Sequence, residues 1–117
     1  MKMSGLWNLT TREQVLRHMS ETLPTLVKTC QIMALDWYTP DSDVDEWKVK
    51  LVGYLCASVF LMKKQGHSRA AADIQELLDI VLAADLVNGD WRKAVFEKHA
   101  EINPFAPQLS PLDLMVA

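Results

Sequence analysis

The chain has 117 residues, 50% of them apolar and 23% charged, the balance of an ordinary globular domain and not of a disordered, collagen-like or mucin-like chain. Twelve basic and fifteen acidic residues leave a formal net charge of −3, which argues against a broad electrostatic footprint on nucleic acid. The longest uncharged run, Leu51 to Met62, is too short to cross a bilayer, and no secretory signal is readable, so the expectation is one cytoplasmic domain.

The apolar spacing is helical nearly throughout, and no stretch alternates as a half-buried strand would. The first helix is expected to start at Thr10, with Glu13 completing a capping box. Leu16, Met19 and Leu23 open its apolar stripe, and Leu26, Val27, Cys30, Met33, Ala34 and Trp37 continue it in phase. Pro24 interrupts the run by removing a backbone donor, so two helical segments sharing one buried face are expected in preference to one kinked helix.

Tyr38 to Asp45 reads as a connector, with Asp43 and Glu46 as a cap pair for a second long helix from about Val44 to Gln65. Val44, Trp47, Leu51, Leu55, Ser58 and Met62 define one face of that helix. Val52, Cys56, Val59 and Phe60 make its middle apolar almost all round, the mark of a helix at a bundle centre or in a subunit interface. Both cysteines, Cys30 and Cys56, are expected to be free and buried. Lys63 and Lys64 suit the C-terminal end of the dipole, and Gly66 is a natural stop.

Ser68 is the expected cap of a third helix, Arg69 to Leu86, whose buried stripe is Ile74, Leu77, Leu78, Val81 and Leu82. Asn88-Gly89 ends it, Asp90 caps a last helix carrying Trp91, Val95 and Ile102, and Asn103-Pro104 stops that one. The expected architecture is therefore all-α: a single-domain four- to five-helix bundle over residues 1–103. An extended, proline-containing tail follows over 104–117, with Ser110 to Met115 similar to a short docking motif.

Chemistry-bearing constellations are sparse. His18, His67 and His99 are scattered, with no ligand spacing for metal and no glycine-rich phosphate loop. Asp41, Asp43 and Asp45 alternate as in a calcium loop, but Glu46 and Val52 occupy the positions where glycine and glutamate are required. Lys63, Lys64, His67 and Arg69 flank the turn at Gly66 as a helix-turn-helix would require, yet the following helix turns acidic at Asp73, which opposes phosphate. A weaker version of that idea is an anion site at Ser68-Arg69.

Glu76 and Asp79, three residues apart, point the same way and could share a divalent ion. The stretch Glu76-Leu77-Leu78-Asp79-Ile80-Val81-Leu82, followed by Gly89-Asp90, Ala94-Val95 and Lys98, resembles the second half of the all-α nucleotide pyrophosphohydrolases, the MazG and dimeric dUTPase group. The resemblance spans roughly residues 50 to 103 and implies magnesium at Glu76 and Asp79, with Lys98 near a triphosphate. The family's other acidic motif would fall on Leu51 to Ser58, where this chain has no carboxylate, so the resemblance implies a retained fold lacking part of the metal site.

The leading expectation is a small cytoplasmic helical protein that binds another protein, as an adaptor, chaperone-like factor or inhibitor of phage or mobile-element type, without a cofactor. Trp7, Trp91 and Arg92 are the candidate partner-binding residues, since exposed tryptophan beside arginine is a common interface anchor. A homodimer would cover the all-round apolar helix. A magnesium-dependent pyrophosphohydrolase is the second expectation and a DNA-binding regulator the third.

Overall fold

A computed structural model of the chain describes residues 9–36, 40–86 and 90–107, the side chain of Asp41 excepted. Four helices make up this part: α1 (Arg12–Leu35), α2 (Asp41–Lys64), α3 (Ser68–Leu82) and α4 (Asp90–Ile102). No strand occurs among the described residues, and the all-α bundle expected from periodicity is what forms. No helix in it is long and apolar enough to cross a membrane.

Helix α1 is one continuous helix with Pro24 inside it, not two segments. Proline in a helix interior costs about 3 kcal/mol. The residues around it recover that by burial: Leu23, Leu26 and Val27 are all inaccessible or nearly so, and each fully buried aliphatic side chain contributes about 1.5–3 kcal/mol. The N-cap is Thr11, one residue later than expected. Its hydroxyl accepts from the Gln14 amide at 3.1 Å, and the Gln14 side-chain oxygen accepts from the Thr11 amide at 3.2 Å. The capping box is therefore Thr11 with Gln14, and Glu13 instead pairs with Arg17 on the surface at 2.9 Å.

Helix α2 begins three residues earlier than the sequence suggests, with Pro40 at its N-cap and no side-chain cap from Asp43. Its C-terminus is a complete Schellman closure. The His67 amide donates to the Met62 carbonyl at 2.8 Å and the Gly66 amide to the Lys63 carbonyl at 3.1 Å. Gly66 makes this possible with φ +80, a left-handed conformation that L side chains resist. Helix α3 follows at once, with His67 and not Ser68 at its N-cap, and it ends at Leu82, a turn before the expected Leu86. Asp90 is the first helical residue of α4. Asn88 and Gly89 lie outside the described residues.

Successive helices run antiparallel, as the contacts between them record. Gln65 Nε2 donates to the Leu9 carbonyl at 3.1 Å and His18 Nδ1 meets the Tyr54 hydroxyl at 2.7 Å, which aligns α1 against α2. Lys48 Nζ donates to the Ala84 carbonyl at 3.1 Å, bringing a cation to the C-terminal end of α3 where its dipole is negative. One core runs through all four helices, with Met19, Leu23, Leu51, Leu55, Met62, Ile74, Leu77, Val81 and Val95 among its buried members.

The first residues of the expected tail do not stay extended. Residues 104 and 105 form a turn, and the Arg17 guanidinium sits 4.1 Å from the centre of the Phe105 ring. Asn103 is the buried clasp behind it. Its Oδ1 accepts from the Phe105 amide at 2.9 Å, which orients Nδ2 to donate to the Leu16 carbonyl at 2.8 Å and to His99 Nε2 at 2.9 Å. His99 Nε2 must then be unprotonated, and burial holds the ring pKa down at about 4. Residues 108–117, with the docking-like motif, lie outside the described part.

Two outcomes follow for stability. Gly66→Ala should cost about 1–2 kcal/mol in urea unfolding, purely from backbone strain, because an added Cβ meets nothing within 4 Å. The His99 pKa is lower in the folded chain than the unfolded value of 6.5, so its contribution is intact above that pH and lost as pH falls from about 6.5 to about 4. At ~1.4 kcal/mol per unit the loss is on the order of 3 kcal/mol, and His99→Gln should flatten the pH dependence of the urea midpoint across that window.

Candidate functional site

Two of the three expected partner-binding residues, Trp91 and Arg92, are buried. Trp91 and Arg92 are 6% and 3% exposed, so neither is presented to solvent. The Arg92 guanidinium lies 6.0 Å from the Phe96 ring centre, and Trp91 Nε1 is buried without a hydrogen bond among the described residues. Trp91 borders a shallow groove with Ile80, Ala83, Ala84, Asp85, Asp90 and Ala94. Trp7 and Trp37 lie outside the described residues. Trp47 is half-buried, with the Lys50 ammonium 4.3 Å over its ring.

The acidic pair resembling a metal motif is placed as helical spacing demands, with both side chains on the outside of α3. The partners differ from those a shared ion would need. Glu76 pairs with Lys98 of α4, and the carboxylate holds that ammonium above its usual pKa. Asp79 accepts instead from Gln75 at 3.0 Å. Lys98 also approaches Glu101 at 3.5 Å. Glu76 and Lys98 thus meet across the α3–α4 junction, and among the described residues no group of three metal-capable side chains converges.

A basic corner forms where α1 begins and α2 turns into α3. Arg12, His67, Ser68 and Arg69 line an open groove there with Gly66 and Ala70. The first-turn amides of α3 face the same end, so the corner has the polarity to attract an anion. The outer side of α3 is acidic at Glu76 and Asp79, which confines the positive field to that corner.

The feature that residue-by-residue reading missed is on α2. Its outer face carries Val49, Gly53, Cys56 and Phe60 at i, i+4, i+7 and i+11, one stripe along the helix. Val49 is 68% and Phe60 54% exposed, and Cys56 is exposed rather than buried. Val59 by contrast turns inward and Val52 is half-buried, so the all-round apolar character resolves into an inner and an outer face. The spacing of Val49 with Phe60, and a glycine in the middle of a helix, are the sequence signals that could have located it. Leu82, assigned to the buried stripe of α3, is also exposed at 54%.

No family model, no curated protein and no solved structure matches the chain.

The two thiols should separate cleanly. Cys30 has no exposed surface, and burial pushes its pKa up to about 11. In dilute native protein a disulfide reagent should titrate Cys56 alone, and Cys30 only after denaturation. Rapid native labelling of Cys30 would show that the α1–α2 seam opens far below the unfolding transition.

Proposed function

We propose that the chain works as a small protein-binding protein, an adaptor, chaperone-like factor or inhibitor, and that the outer face of α2 is its contact surface. The observation that carries this reading is the exposed stripe of Val49, Gly53, Cys56 and Phe60. Large aliphatic and aromatic side chains aligned on one helix face form the kind of patch that a partner's groove or helix covers. Phe60 supplies the aromatic anchor around which binding energy concentrates. This moves the contact away from Trp91 and Arg92, which are buried.

A nucleotide-handling reading draws on Glu76 and Lys98, which meet across two helices. It would need further carboxylates facing them. Leu51 to Ser58 of α2 provides none, and Asp79 is engaged with Gln75. The binding reading is therefore preferred.

The test is capture from the native host lysate with tagged full-length chain as bait, with Phe60→Glu in parallel. Phe60 is exposed, so the variant should keep its unfolding midpoint within about 0.5 kcal/mol of the original. The expected result is a stoichiometric partner held by the original chain and lost by the variant. Equal capture by both baits would rule out this face.

A further inference from the structure

We infer that the outer face of α2 binds a second copy of the same chain, α2 against α2 in antiparallel fashion about a twofold axis. This rests on the reading of that face as a contact surface and names its occupant.

The argument is self-complementarity. An isologous contact requires one patch to fit itself after a half-turn. Placing the axis between Tyr54 and Leu55 sets Gly53 opposite Cys56 of the second copy, and Val49 opposite its Phe60. One turn further out it sets Glu46 opposite Lys63 and Asp45 opposite Lys64. All of these side chains lie on the exposed side of α2. Small residues meet at the centre, apolar residues pack on either side, and opposite charges face each other at both ends. A parallel arrangement would keep the apolar contact but lose the charge pairing, since it sets acids on acids and lysines on lysines.

Gly53 is the independent clue. A glycine in a helix interior is destabilising relative to alanine. Among the described residues nothing explains it, because an added Cβ would meet no atom within 4 Å. Absence of a side chain at the midpoint of an exposed apolar stripe is useful where another backbone comes close. Here the group opposite is a cysteine, also small.

The charge pairing also selects the crossing. Glu46 and Lys63 lie far enough from the axis that steeply crossed helices would separate them, so the shallow crossing of about 20° is the one that fits. Within its own helix Glu46 approaches Lys50 only loosely, at 3.8 Å, with both groups well exposed. The apolar part of the stripe is roughly 17 Å long, short for a permanent dimer. The dimer should therefore dissociate in the micromolar range, and another protein could displace the second copy.

The test is sedimentation of the full chain across a concentration series from low micromolar to submillimolar. The original chain should show a reversible monomer–dimer equilibrium, and Phe60→Glu should be monomeric throughout. Glu46→Lys and Lys63→Glu should each weaken the dimer roughly tenfold, since each change recurs twice across the axis. The double variant should recover to within about twofold of the original chain. That recovery cannot come from better folding, because both changes oppose the dipole of α2. A second readout is Cys56, whose labelling should slow as protein concentration rises.

A chain that stays monomeric at every concentration overturns the inference, as does a dimer indifferent to Phe60→Glu. A double variant no better than either single one overturns the antiparallel register. The outcomes separate from those of the lysate capture. A monomeric chain whose partner is lost in Phe60→Glu keeps the contact surface and removes the second copy. A dimer that obeys the charge swap while capture is unchanged keeps the second copy on this face and removes the other partner from it.

Discussion

Helix α2 is a wall shared by two neighbours, and the rest of the bundle follows from that. Leu51, Tyr54, Leu55, Ser58 and Met62 are all fully buried along it. They must serve α1 on one side and α3 on the other, because α4 packs mainly on α3. A helix used this way needs more than half of its circumference apolar, which explains a hydrophobic pattern too broad for an ordinary surface helix. It also forces polar atoms into the seam. The Tyr54 hydroxyl is satisfied by His18 at 2.7 Å, and the Ser58 hydroxyl donates to the Tyr54 carbonyl one turn back at 3.0 Å. Burial drives the Tyr54 pKa upward, so its hydroxyl stays protonated in the seam.

The fourth helix is attached differently. Its apolar residues Trp91, Val95 and Phe96 pack inward, but its far end is closed onto α1 by a single amide side chain. Asn103 satisfies three partners at once, in the chain after α4, in α4 and in α1. Such a clasp is directional in a way that apolar packing is not, since a misregistered α4 would leave buried donors and acceptors unmet. The neutral His99 ring belongs to the same device. The proton it lacks is what lets Asn103 donate in both directions.

Two neighbours can cover two sides of α2 and no more, so the residues on its third side face outward. Apolar side chains there are not spare core. They sit in line, with a glycine at the midpoint and opposite charges at the two ends. The surface of this protein is thus organised by the same helix that organises its interior. The basic corner at Arg12 and Arg69 and the Glu76–Lys98 pair are local features of helix junctions.

Periodicity made the helices legible, because a stripe at 3.6-residue spacing is a local property. Leu16, Met19, Leu51, Leu55, Ile74 and Leu77 could all be assigned to the core from spacing alone, and Gly66 as a stop from its missing Cβ. The misplacements were of another kind. Thr10 and Thr11 are equally good caps, and Ser68 a better one than His67, until neighbouring helices fix where each turn begins. Pro24 breaks a helix in isolation, but burial of Leu23, Leu26 and Val27 outweighs one missing hydrogen bond. Trp91 and Arg92 look like an exposed anchor in the sequence, whereas Cys56 and Phe60 look like core. Spacing states that two faces of a helix differ. Which face is inside depends on where the neighbouring helices stand, and those positions are set by contacts between residues far apart in the chain. Local periodicity was enough to specify a helical bundle and most of its buried stripes. Which apolar residues of α2 face outward was settled by the packing of α1 and α3 against it.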